Sequence, residues 1–278
     1  MNRKVCKLLA VIIFVNLTTL AQAVKLSDDF NDNLMGTLWE KFGINNGADG
    51  LWFSAIGGPG QIHVTEINQR LEITASTQAD KQTAVYGSTG WGVVTSEDFQ
   101  IRVDFNHSKT SASFSSVFIG LIYDFEFLLF PSRWNYVNLF AGSDSNVQIF
   151  YYEQGGLSFP YYDDWKMRSS NTGNLYISYD TNLDELYLSD TGYGSVNAWK
   201  TISGLIRGQW NRQVIGVAIG GYSEGVALTS GEAYLDNFVI DSGTLCTEMP
   251  EADLNQDCKV DFIDFALMAS RWLEDNSN

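Results

Sequence analysis

Residues 24–240 are a succession of short β-type runs, each closed by Gly, Asn, Asp or Ser. The runs fall at 61–67, 70–75, 99–106, 116–124, 134–140, 147–152, 174–179, 186–189, 212–219 and 233–240. Several alternate cleanly. Leu71 and Ile73 oppose Glu72 and Thr74, and Ile101, Val103 and Phe105 oppose Arg102 and Asp104. A period of two puts one face of a strand in a core and the other in water, which suits antiparallel sheets. The runs 117–122 and 214–219 are apolar on both faces and are expected near the middle of a sheet. No amphipathic helix separates the runs, so a parallel α/β arrangement is excluded. The expectation is an all-β fold, a two-sheet antiparallel jelly-roll sandwich, with a closed barrel as the second arrangement.

Charge narrows the function classes. The chain has 278 residues, 33 acidic and 17 basic side chains and a net charge of −16. A surface of that sign repels phosphate polymers and anionic membranes, so no nucleic-acid partner is expected. With 45% hydrophobic residues it is too apolar for disorder.

Arg3, Lys4 and Lys7 precede an apolar run at 8–15 and then Ala21-Gln22-Ala23. That order is a secretory signal peptide over 1–23, too short in its apolar part to anchor a bilayer. The expected location is therefore secreted or cell-surface, with no membrane span after cleavage. Two cysteines follow the leader, Cys246 and Cys258, and an even pair in an exported protein reads as a disulfide.

Four segments carry a resemblance. They are Leu26-Ser27-Asp28-Asp29-Phe30-Asn31-Asp32 with Trp39; Arg70-Leu71-Glu72-Ile73; Tyr176-Ile177-Ser178-Tyr179-Asp180 leading to Leu186-Tyr187-Leu188; and the run Ala233 to Ile240. Together they resemble the concanavalin A-like (laminin-G-like) sandwich domains of secreted bacterial proteins. The resemblance implies a sandwich over 24–243. It says little about function, because the fold hosts lectins, hydrolases, lyases and adhesion modules.

The tail, 244–278, carries the sharpest pattern. In the window 253–264, Asp253, Asn255, Asp257, Asp261 and Asp264 place side-chain oxygens at positions 1, 3, 5, 9 and 12, and Lys259 offers a backbone carbonyl at 7. A hard cation that takes six to eight oxygens fits that spacing, and calcium is the expected cofactor. Val260 stands where such loops carry an apolar plug. Cys258 replaces the usual Gly, and Asp264 replaces Glu. Residues 253–273 resemble a single dockerin type I repeat, of a variant frequent in exported proteins of planctomycete-like bacteria. The resemblance implies attachment to a cohesin-like or cell-surface partner, although a full dockerin has two repeats. Phe262, Phe265, Ala266, Ala269, Trp272 and Leu273 recur at helical spacing, predicting a helix to about Leu273. A Cys246–Cys258 bridge would add about 3 kcal/mol by chain entropy.

Catalytic motifs are scarce. The Glu-x-Asp-x-x-Glu strand of laminarinase-type jelly rolls is absent from the sequence. Of the carboxylate clusters on strand-like runs, Asp124 with Glu126 and Asp184 with Glu185, only the first has the i, i+2 spacing that shares a sheet face, and it also reads as a polar strand end. His63 alternates with apolar neighbours, as a cleft His or an ordinary surface one. Gly221-Tyr222-Ser223-Glu224-Gly225 spells a nucleophile elbow, but no helix follows, so it is expected to be a turn.

Binding has better material. Phe150, Tyr151, Tyr152, Phe159, Tyr161, Tyr162 and Trp165 are interleaved with Gly155, Gly156, Asp163 and Asp164. Aromatic faces with acidic neighbours suit sugars, and the same rings suit a core. Tyr151, Tyr152, Tyr161, Tyr162 and Trp165 are the expected ligand-binding residues. Trp52, Trp91 and Trp134 fit either role. The leading expectation is a secreted calcium-binding sandwich that binds a glycan or surface polymer; the alternatives are a jelly-roll polysaccharide hydrolase or lyase, and a structural surface protein. Isothermal titration with millimolar calcium should give saturable heat that Asp253→Ala abolishes; a flat trace from the parent chain removes the calcium loop.

Overall fold

The computed structural model describes residues 26–32, 39–45, 52–55, 62–77, 79, 81–88, 91–123, 135–156, 159–243, 245–246, 260, 264–266 and 268. The strands are β1 (Leu26–Asp28), β2 (Trp39–Asn45), β3 (Trp52–Ala55), β4 (Ile62–Ile67), β5 (Arg70–Ala75) and β6 (Gln82–Ser88). Next come β7 (Gly92–Val94), β8 (Phe99–His107), β9 (Ser115–Tyr123), β10 (Asn135–Asp144), β11 (Val147–Gly156) and β12 (Phe159–Met167). The last are β13 (Thr172–Asp180), β14 (Glu185–Ser189), β15 (Lys200–Ser203), β16 (Val214–Ser223), β17 (Ala233–Ser242) and β18 (Leu245–Cys246). A π-helical turn, Leu205–Trp210, joins β15 to β16. All strand pairings are antiparallel.

They form two sheets. One has eight strands in the order β15-β14-β13-β8-β17-β5-β4, with β1 on β17. The other has ten, in the order β12-β11-β10-β9-β16-β6-β2-β3, with β7 on β16 and β18 on β7. The jelly-roll sandwich expected from the alternation is therefore present, and the runs apolar on both faces, now β9 and β16, are neighbours inside the larger sheet.

The inner faces supply one core. Leu71, Ile73, Ile101, Val103, Leu175, Ile177 and Leu235 come from the eight-stranded sheet, and Val117, Ile119, Leu121, Val137, Leu139, Val217 and Ile219 from the ten-stranded one. Trp39 packs edge-on to Trp91 and Phe238, with ring centroids 5.4 and 5.0 Å away, and its Nε1 donates to Asp28 Oδ2 at 2.8 Å. Trp91 is thus a core residue. Two hairpins have both central residues in the left-handed region, Asn68-Gln69 and Ser145-Asn146, the turn whose twist matches flanking strands.

A buried polar node ties the rims together. Arg168, just past β12, donates from Nη2 to the His107 carbonyl at 2.7 Å and to His107 Nδ1 at 3.2 Å, and from Nε to the Gly142 carbonyl at 3.2 Å. A guanidinium can only donate, so Nδ1 accepts and the imidazole proton sits on Nε2, 3.1 Å from Ser115 Oγ. His107 ends β8 in one sheet and Ser115 begins β9 in the other. Burial, then the charge of Arg168, lowers the His107 pKa to about 3 from its ordinary 6.5. The unfolded chain therefore takes up a proton that the folded one refuses. Stability should be full above about pH 6.5 and fall as pH drops toward 3. Chemical denaturation across that range should show the fall, with a shallower slope in His107→Gln.

Candidate functional site

The site is the outer face of the ten-stranded sheet. Because Val117, Ile119, Val137, Leu139, Phe150, Tyr152, Val217 and Ile219 point into the core, the alternate residues of β9, β10, β11 and β16 must point out. Those residues are also apolar at the centre. Val85, Phe118, Ile122, Phe140 and Ala218 form a second buried cluster, with Phe114, Tyr151 and Tyr222 packed on it. Phe114 makes ring contacts with Phe140, Tyr151 and Tyr222 at centroid distances of 6.0, 5.5 and 5.6 Å. Aromatic side chains thus floor one side of a cavity of about 750 Å³.

Around that floor stand Thr83, Tyr136, Asp144, Ile149, Tyr151, Glu153, Asp163, Trp165, Met167, Tyr222 and Glu224. Register places them. Ile149, Tyr151 and Glu153 of β11 lie opposite Met167, Trp165 and Asp163 of β12. Directly opposed Cβ atoms are about 5 Å apart, so Glu153 and Asp163 are neighbours on one face. Tyr151 donates to Asp163 Oδ2 at 3.1 Å and Tyr222 to Glu224 Oε1 at 2.9 Å. Each carboxylate is held beside a ring, the arrangement that offers a stacking surface and a hydrogen-bond acceptor together.

Close strand approach requires glycine at two positions in this sheet. A Cβ on Gly220 would lie 2.1 Å from the Ala84 carbonyl oxygen, and one on Gly142 would lie 2.3 Å from that of Ser115.

No protein-family model matches the chain, and no curated protein matches it in sequence. Solved structures do match in shape. The catalytic domain of an endo-1,3-β-glucanase (laminarinase) from Thermotoga petrophila superposes with a TM-score of 0.53 at 13% identity, covering 80% of this chain and 98% of that one. A non-specific endo-β-1,3(4)-glucanase of glycoside hydrolase family 16 gives 0.54 at 10% identity over 79% and 89%. A family 16 glycosyl hydrolase protein from Mycobacterium smegmatis gives 0.51 at 12% over 79% and 99%. The chain shares the jelly roll of these glucanases.

On this jelly roll the expected binding residues separate. Tyr151 and Trp165 line the groove, and Trp165 is 59% exposed. Tyr152 does not. It faces the core, only 1% exposed, its hydroxyl donates to Gln154, and burial raises its pKa. Tyr162 is exposed but alternates with Asp163 along β12, so it lies on the strand's other face. Both corrections have one cause: neighbours along a strand cannot share a face. The side chains of Tyr161 and Trp52 are outside the described residues, as are Trp134, Asp124 and Glu126 altogether. His63 is exposed on β4, in the other sheet.

Of the residues read as a calcium loop, Asp253, Asn255, Asp257, Lys259 and Asp261 lie outside the described residues, as do residues 1–23, read as a signal peptide, and the side chains of Cys246 and Cys258. Asp264 is buried at the start of the helical residues 264–266. Val260 is 55% exposed and Phe265 61%. Among the described residues no group of three or more His, Cys, Asp or Glu is placed to hold a metal. Asp28, one of the acidic residues near the first strand, is occupied by the Phe30 amide and Trp39.

Sequence reasoning missed Phe114, Tyr136, Asp144, Glu153, Tyr222 and Glu224. The signal was in part available. The segment Gly221 to Gly225 is a strand end and turn, as expected, with Ser223 Oγ buried and bonded to Val226, which turns Tyr222 and Glu224 out. Substituting Gly220→Ala should cost about 1–3 kcal/mol in thermal or urea unfolding, because backbone on β6 must move. Gly208→Ala, where the new methyl meets only Asp184 Oδ2 at 3.6 Å, should cost less than about 0.5 kcal/mol.

Proposed function

We propose that this chain binds a polysaccharide in the groove on the outer face of its ten-stranded sheet. The observation that carries the reading is the meeting of Phe114, Tyr151, Trp165 and Tyr222 with Glu153, Asp163 and Glu224 around one cavity. Sugar rings present apolar C–H faces and hydroxyl edges, and this lining meets both needs. The likeness to glucanases supports a fold able to present such a groove, and the signal peptide supports export to where polysaccharides lie. We keep calcium and attachment through the dockerin-like tail as part of the proposal, on the spacing of Asp253 to Asp264.

A second reading, hydrolysis, is favoured by the Glu153–Asp163 pair. Two carboxylates on one face of a cleft are the minimum equipment of a glycosidase. The absence of Glu-x-Asp-x-x-Glu from the sequence weighs against the mechanism of the laminarinase type.

Gel electrophoresis in soluble β-glucan should retard the protein, and Trp165→Ala or Tyr222→Ala should restore its mobility, each ring contributing about 1 kcal/mol or more of binding. A reducing-end assay separates the readings. No released ends means a binding protein, whereas release abolished by Glu153→Gln and by Asp163→Asn means an enzyme. Unretarded migration in every glycan tried would sink both.

A further inference from the structure

We infer that the groove prefers glycans bearing protonated amines, polymers of the glucosamine type, over neutral or acidic ones. This rests on the reading of the groove as a glycan site and names the chemistry it selects. The described residues lining the cavity include Asp144, Glu153, Asp163 and Glu224, and none is Lys, Arg or His.

Three of these carboxylates have neutral hydroxyl partners: Ser145 on Asp144, Tyr151 on Asp163 and Tyr222 on Glu224. Each lies in the lining of the cavity. The cations of the bordering strand are spent elsewhere. Lys166 alternates with Trp165 and Met167, so it points behind the sheet, where it pairs with Asp190. Lys200 pairs with Asp164 on that same far side, 3.3 Å away. Arg168 turns inward to His107 and the Gly142 carbonyl. Strand alternation has sorted the charges, acids with the rings in front and bases behind.

A uronate or sulfated polymer entering the groove would meet like charge with no cation among the described lining residues, on a chain already at −16. A neutral sugar would gain the rings and hydroxyl hydrogen bonds, without charge pairing. An ammonium on the sugar would gain the rings and the carboxylates together, and a cation can also sit over the Trp165 face.

The test is calorimetric titration of the full chain, in mildly acidic buffer, with glucosamine, N-acetylglucosamine and mannuronate oligomers of equal length. Glucosamine oligomers should bind about tenfold tighter than their acetylated counterparts. The preference should shrink as salt rises toward about 0.5 M. An Asp163→Asn/Glu224→Gln double variant should bring the two affinities together. Equal affinities in the parent chain overturn the preference and leave the glycan reading standing. No heat with any oligomer overturns both. Glucosamine binding that survives Trp165→Ala undiminished, or that polylysine matches, marks a charge effect without sugar recognition and overturns the inference.

Discussion

The register of β9, β10, β11 and β16 holds the core and the groove to the same choice. Val117, Leu139, Phe150, Val217 and the residues two positions along from them fill the space between the sheets. Their neighbours Phe118, Phe140, Tyr151 and Ala218 are thereby committed to the other side. A slip of one residue in any pairing would exchange the two sets, exposing core side chains and burying tyrosines and glutamates. Burial of the inner face is a driving force of roughly 25 cal/mol per Å², summed over many residues, so it sets the register and the groove follows. Packing designed for stability thus also points the rings outward.

The same alternation handles charge. On β12, Asp163, Trp165 and Met167 face the cavity while Asp164 and Lys166 face away. Behind the sheet Lys166 meets Asp190 and the ring of Trp199, and Lys200 meets Asp164. At the strand's end Arg168 closes the rim through carbonyls and a neutral His107. Burying an arginine without a carboxylate is costly unless its donors are satisfied, and here backbone oxygens satisfy them. The groove side is left with acids and aromatics.

Most strands were legible because each alternates locally. Arg70–Ala75 coincides with the run read at 70–75, and Phe99–His107 extends the run at 99–106 by one residue. The strands β2, β3, β6, β7, β12, β15 and β18 were not among the runs: β3, β7, β15 and β18 have only two to four residues, too few for a period, and β12 carries Pro160 and paired Tyr and Asp residues that break the alternation. Within the aromatic run, spacing alone could have separated Tyr151 from Tyr152. Which of the two faced the core depended on the partner strands. Phe114 and Glu224 lie far from that run in sequence and meet it only because β16 pairs with β9, and β9 with β10.

By itself the chain's order of residues determined an all-β architecture, a strongly acidic surface and the oxygen spacing of residues 253–264, since each is a property of composition or of neighbours within a dozen positions. Only the tertiary structure decided which face of each strand became a surface for ligands. That choice depends on the opposing sheet: a strand cannot tell inside from outside until a second layer covers one of its two sides.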